Sequence, residues 1–239
     1  MAKFNTTRWS LIARASDLDP DGQKALEYLC QAYWPPLFAY VMRHGLERED
    51  AQDVTQEFFS HLLEKGWLSR ADIDRGKFRT FLLSAMQCHI DQYWRARMTQ
   101  KRGGGKSFFS LNESLVAHEI QHALCATRPL SPEEAYDHRW ALAVLGRALE
   151  RLRMETATAG KAEWFLQMRP FLCEEARDGD YQVPAAALGL STNAFAQAVQ
   201  RLRGRYRQAV RAEIAGTVLD PEMIDEEMEI LLEILRKNH

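Results

Sequence analysis

The chain has 239 residues, a formal net charge of −2, and hydrophobic and charged fractions of 46% and 27%. These values exclude a collagen-like or disordered chain, and the length suits two compact units joined by a linker. No apolar run approaches the roughly 20 residues needed to cross a bilayer, and the opening MAKFNTTRWS lacks the apolar centre of a secretory signal, so the expectation is a cytoplasmic chain without membrane insertion.

Apolar residues recur at three- and four-residue spacing almost throughout, which predicts an all-α fold. A first block runs from about Trp9 to Arg102, with breaks expected at DLDPDG, at Pro35-Pro36, and around Gly45, Gly66 and Gly76. Within it, EDAQDVTQEFFSHLLEKG sets Val54, Phe58 and Leu62 at i, i+4 and i+8 as an inward stripe. Asp50, Asp53, Glu57 and Glu64 share the neighbouring ridge. Like charges at that spacing cost a few tenths of a kcal/mol per pair, a cost that a cationic partner would offset; the plainer reading is a solvated face with acids near the helix N-terminus.

The next helix, KFRTFLLSAMQCHIDQYWRARMTQKRGGG, carries Phe78, Phe81, Leu82, Ala85 and Met86 as a core stripe. Beyond the stripe stand Gln87, His89, Asp91, Gln92, Tyr93 and Trp94, then Arg95, Arg97, Lys101, Arg102 and Lys106. Aromatic faces beside cations suit single-stranded DNA, whose bases stack while Arg and Lys follow the backbone. Trp94 could equally serve as a core anchor.

Gly103-Gly104-Gly105 ends the block, and a polar linker follows to residue 131. It contains His118-Glu119-Ile120-Gln121-His122, the HExxH pattern of zinc peptidases. The context is wrong for one: a metzincin continuation needs Gly and His where Cys125 and Arg128 stand, and a third ligand would have to be Glu133, Glu134 or Glu150. A regulatory zinc on His118, His122, Cys125 and His138 is a second option, and a solvated linker helix the preferred one. Cys30, Cys88, Cys125 and Cys173 are scattered, as expected of reduced thiols. No catalytic residue, cofactor or metal ligand is assigned.

Ser131-Pro132-Glu133-Glu134 reads as a helix start, with Ser131 as cap, and opens a second block over 132–216. Its strongest motif is YQVPAAALGLSTNAFAQAVQRLRGRYRQAVR. Pro184 fits the first turn of a short helix, Gly189 the turn, and Ser191 the cap of a second helix with Phe195, Val199, Leu202 and Tyr206 as its seam, which predicts a helix-turn-helix. The opposite face carries Thr192, Asn193, Gln197, Gln200, Arg201 and Arg205, types that pair with base edges. Arg203, Arg207 and Arg211 form a row better placed for phosphates or for acids on neighbouring helices. Asp220-Pro221-Glu222 then opens an acidic helix over 217–239, with Ile224, Met228, Leu231, Leu232 and Leu235 as its apolar face and a role expected in shielding a basic module or modulating a partner.

With these elements in this order, the chain resembles the extracytoplasmic-function sigma factors of bacterial RNA polymerase. EDAQDVTQEFFSHLLEKG is similar to the family's polymerase-binding helix, its D-x-x-Q-E-x-F core appearing as Asp53, Gln56, Glu57 and Phe59. KFRTFLLSAMQCHIDQYWRARM resembles the promoter-melting and minus-ten-reading helix, and VPAAALGLSTNAFAQAVQRLRGRYRQ the minus-thirty-five helix-turn-helix. TTRWSLI, QAYWPPLFAYV, QKRGGG and SPEEAYDHRWAL look closest to a long-tailed subgroup.

The resemblance implies a non-enzymatic initiation subunit whose partners are core RNA polymerase, promoter DNA (a double-stranded upstream element and a single-stranded non-template minus-ten element) and an anti-sigma or other regulator. It places Asp50, Asp53, Gln56, Glu57 and His61 against the polymerase. Lys77, Arg79, Gln87, His89, Asp91, Gln92, Trp94, Arg95, Arg97, Lys101 and Arg102 would meet the minus-ten element. Ser191, Thr192, Asn193, Gln197, Gln200, Arg201 and Arg205 would meet the minus-thirty-five element. Cys88 stands where many members have Asn, and Ala196-Gln197 where many have a basic residue, so relatives do not transfer the promoter sequence. Residues 1–102 would form the polymerase-binding and melting domain and 103–131 the linker. The rival readings are a stand-alone helix-turn-helix regulator and, more remotely, a zinc peptidase.

Overall fold

In the computed structural model, which describes residues 20–64, 77–99, 130–174, 176–218 and 220–237, every element among the described residues is a helix. In chain order these are α1 (Pro20–Arg43), α2 (Arg48–Glu64), α3 (Phe78–Thr99), α4 (Pro132–Thr158), α5 (Ala162–Met168), a 3₁₀ turn (Arg169–Leu172), α6 (Gln182–Ala187), α7 (Thr192–Ala215) and α8 (Met223–Lys237). No helix among the described residues is long and apolar enough to cross a membrane.

The helices segregate into two units, Met1–Ala143 with Ala215–His239, and Val144–Ile214. Sequence alone places the borders at 131/132 and 216/217, whereas the first border falls inside α4. The first turns of α4 belong to unit 1 because Ala135, Tyr136, Trp140 and Ala141 are buried and Tyr136 donates its hydroxyl to the Arg79 carbonyl at 2.8 Å. The chain returns to unit 1 after α7, burying Thr217 and Val218 before α8.

In unit 1, α1 runs through the Pro35-Pro36 pair, where a break is expected. A proline inside a helix removes a hydrogen bond and crowds the preceding turn, at a cost of about 3 kcal/mol. Here Tyr33, Trp34, Leu37 and Phe38 surround the pair and are all buried, each worth about 1.5–3 kcal/mol, which more than offsets it. Gly45 ends α1 at φ 81°, in the left-handed region open to glycine. Val54, Phe58 and Leu62 of α2 are buried, as are Phe78, Leu82, Ala85 and Met86 of α3. The Tyr33 and Phe78 rings meet edge to face at 5.1 Å, tying α1 to α3.

The start of α4 is a reciprocal capping box: the Glu134 N–H donates to Ser131 Oγ at 3.2 Å, and the Ser131 N–H donates to Glu134 Oε2 at 2.9 Å. In unit 2, Leu152, Phe165, Met168, Ala185, Phe195, Ala198, Val199 and Leu202 form the core. Phe195 is gripped by the rings of Phe171 and Tyr181 at 5.9 and 5.3 Å.

Candidate nucleic-acid interface

Unit 2 positions its candidate reader through the turn between α6 and α7. The Leu190 N–H donates to the Ala185 carbonyl (2.9 Å) and the Gly189 N–H to the Ala186 carbonyl (3.0 Å), a Schellman closure whose residue Gly189 sits at φ 66°. One residue later Ser191 Oγ accepts the Ala194 N–H at 3.2 Å and caps α7. The Ser191 hydroxyl is therefore already engaged as a cap. Phe195, Val199 and Leu202 point into the core, and Tyr206, half-buried, donates its hydroxyl to the Leu145 carbonyl at 3.1 Å. That seam turns Thr192, Asn193, Gln197, Gln200 and Arg201 outward, all exposed on the first three turns of α7. Arg205 is exposed too, but its guanidinium meets Glu155 at 3.2 Å. Arg203 is a structural brace: it donates to the carbonyls of Phe171 (2.8 Å) and Glu174 (2.7 Å), closing the end of the 3₁₀ turn.

Unit 1 carries two contrasting surfaces on α2 and α3. Along α2, Asp53 and Glu57 are exposed, with Asp50, Gln56 and His61 half-buried. At the far end of α3, Tyr93 and Trp94 are half-buried, Asp91, Gln92, Arg95 and Arg97 are exposed, and Met98 is 86% exposed. The Arg97 guanidinium lies 5.7 Å from the Tyr93 ring and 6.0 Å from Trp94, so the cation and both aromatics form one platform. Arg97 also meets Asp50 at 2.6 Å, linking the basic surface to the acidic one across exposed side chains.

Three of the expected minus-ten contacts do not stand on this surface. His89 is 8% exposed, wedged against Phe58 at 5.8 Å and His61 at 5.5 Å. Burial lowers its pKa, although Glu57, 3.9 Å from Nε2, and a hydrogen bond to the Val54 backbone pull the other way. Its place one turn after Ala85 and Met86 continues the buried stripe, which is why it turns inward. Lys77 and Arg79 lie at the opposite end of α3 and face α8. Lys77 Nζ meets Glu227 Oε1 at 2.8 Å and Glu226 at 3.0 Å; Arg79 Nε meets Glu227 Oε2 at 3.1 Å and its NH1 meets Asp137 at 2.6 Å. The Arg79 guanidinium also lies 4.9 Å over the Trp140 ring. Burial opposes the charge on both cations, yet the surrounding carboxylates raise both pKa values. Burial, with Glu227 and Glu133 adding to it, raises Asp137 despite its contact with Arg79.

Gln87 is also committed internally, accepting from the Tyr40 hydroxyl and donating to Asp91 at 3.2 Å. Lys101 and Arg102 lie outside the described residues, as do His118, His122 and Cys125 of the linker motif. Among the described residues no group of three His, Cys, Asp or Glu side chains could hold a metal ion.

Glu227 is 1% exposed, a burial that an acid among the acidic residues of α8 does not lead one to expect. The expected apolar face of α8 included Leu232, but Leu232 is 46% exposed and the buried positions are Glu227, Leu231 and Ile234. Spacing held the signal: Glu227 lies at i−4 from Leu231 and i−7 from Ile234, a core position occupied by an acid. The helix itself starts at Met223 rather than Asp220, because Asp220 closes a turn by accepting the Glu222 N–H at 2.9 Å.

No family model, curated protein or solved structure matches the chain.

Proposed function

We propose that the chain is a sigma factor of bacterial RNA polymerase, of the extracytoplasmic-function kind, that directs promoter recognition and melting and carries no reaction of its own. The observation that carries this reading is the pair of surfaces in unit 1. An acidic row (Asp50, Asp53, Glu57) on α2 suits a cationic partner, and a neighbouring aromatic and cationic platform (Tyr93, Trp94, Arg95, Arg97) on α3 suits unpaired bases.

In this reading α6 and α7 form a helix-turn-helix that enters the major groove of the upstream element. Asn193, Gln197 and Gln200 can pair with adenine and Arg201 with guanine. Core polymerase docks on α2, and the α3 platform holds non-template bases once they leave the stack. Each captured base adds stacking energy only in the melted state, so capture itself drives the equilibrium toward opening without nucleotide hydrolysis.

The bare face of α7 favours one other reading, a regulator that binds duplex DNA unaided. Co-purification with core polymerase separates the two. The chain should form a complex with core enzyme, and Asp53→Lys with Glu57→Lys should disrupt it while leaving the fold intact. Tight duplex binding with no affinity for core enzyme would establish the regulator instead.

A further inference from the structure

The two cations at the start of α3 are in an electrostatically poor place for the isolated helix. Lys77 supplies the first accepting carbonyl of α3, receiving the Thr80 N–H at 3.0 Å, and Arg79 lies in the first turn, which contains no acid. A helix N-terminus already carries the positive end of the backbone dipole, so these side chains add like charge to it and together make a seat for an anion. The seat is filled from far along the chain: Glu226 and Glu227 reach Lys77 and Arg79 across 149 and 148 residues. Glu227, buried to 1%, sets one carboxylate oxygen on each cation, at 2.8 and 3.1 Å, as two oxygens of a phosphate would.

We infer that this seat is a nucleic-acid phosphate site held closed in cis by α8, with the Glu227 carboxylate standing in for the phosphate. The inference rests on the reading of unit 1 as a promoter-binding module. The grip of α8 suits an exchangeable occupant. Its buried apolar anchors are Val218, before the helix, and Leu231 and Ile234 within it; Ile224, Met228, Ile230 and Leu235 are half-buried, while Leu232 and the acids Asp225, Glu226, Glu229 and Glu233 remain exposed. Three carboxylates, Glu226, Glu227 and Asp137, surround two cations, so the closed seat holds an excess of negative charge that repels DNA, and the open seat attracts it. Displacing α8 adds two phosphate contacts to those of Arg95 and Arg97 at the far end of the same helix.

The test is binding of the full chain to a fluorescein-labelled single-stranded oligonucleotide over a series of salt concentrations. Glu227→Gln keeps the shape of the side chain and removes its charge. It should tighten binding several-fold at low salt and steepen the slope of log affinity against log salt by about 0.7 for each phosphate gained. Adding Lys77→Gln and Arg79→Gln should abolish that gain. In the unaltered chain, hydrogen exchange over 223–237 should accelerate when the oligonucleotide is saturating. A folded Glu227→Gln variant with unchanged affinity and slope overturns the inference. If that variant does not fold, unchanged protection of 223–237 in the DNA-bound chain overturns it. The functional reading fails separately: a chain that binds core polymerase and starts transcripts while α8 stays protected loses only the lock, whereas one that binds neither DNA nor polymerase loses both.

Discussion

The two ends of α3 carry the same residue types and do opposite things. Lys77 and Arg79 are covered and neutralised by Glu226, Glu227 and Asp137, with Trp140 beneath the Arg79 guanidinium. Arg95 and Arg97 are exposed, Arg97 beside Tyr93 and Trp94, and the Arg97–Asp50 contact is of the exposed kind that solvent screens. Basic residues on one helix therefore do not define one surface: the carboxylates that the rest of the chain brings near decide which cations remain available to a ligand.

Truncating the covered cation should have the largest effect. Arg79→Ala leaves Glu227 with Lys77 and takes from Asp137 its contact with Arg79, and removing one partner of a buried pair costs about 3–5 kcal/mol. The lower end applies because Lys77 stays, so thermal unfolding of unit 1 should fall by about 6–12 °C. The exposed end should behave in reverse. Trp94→Ala should leave the melting temperature nearly unchanged and weaken single-stranded DNA binding by about 1–3 kcal/mol, measured by fluorescence anisotropy.

The same contrast recurs in unit 2 on neighbouring positions of α7. Arg203→Ala strips donors from the Phe171 and Glu174 carbonyls and should cost about 1–3 kcal/mol of stability. Arg201→Ala should cost stability almost nothing and about 1–3 kcal/mol of duplex affinity at the base it reads, measured against a panel of single-base promoter variants. Arg205 lies between these cases: Glu155 holds its guanidinium at 3.2 Å, and under the proposed function that contact has to open before Arg205 meets DNA.

The smallest expected effect is a pH dependence from His89. Its folded pKa lies below the ordinary histidine value, with burial as the main cause and Glu57 and His61 as its charged or titrating neighbours. The unfolded chain therefore binds the proton at higher pH than the folded one. The stability that neutral His89 contributes is fully present above the ordinary histidine pKa of about 6.5, and it is lost as pH falls from there through the lowered folded value. Thermal melts between pH 7.5 and 5 should show this decline, and His89→Gln should flatten it.

Much of this was readable from the chain because it depends on neighbours in sequence. The Ser131–Glu134 capping box, the Gly189 turn, the Ser191 cap and the seams Val54–Phe58–Leu62 and Phe195–Val199–Leu202 are set by three- and four-residue spacing. What the sequence concealed depends on residues far apart. Nothing local marks Pro35-Pro36 as tolerable inside α1, since the compensation comes from the aromatic core around it. Lys77 and Arg79 look like any phosphate-seeking pair until α8 is placed over them. Glu227 and His89 occupy core positions in their helical patterns, but their polarity argues for the surface, and only tertiary packing resolves that conflict.

Run-off transcription with purified core polymerase on a promoter library decides whether the chain is an initiation subunit. Specific transcripts that require this chain are expected, together with thymines near the start site that become reactive to permanganate in the unaltered complex and less so with Trp94→Ala. No specific transcript from any promoter, from a chain that is folded and binds duplex DNA, would contradict that role.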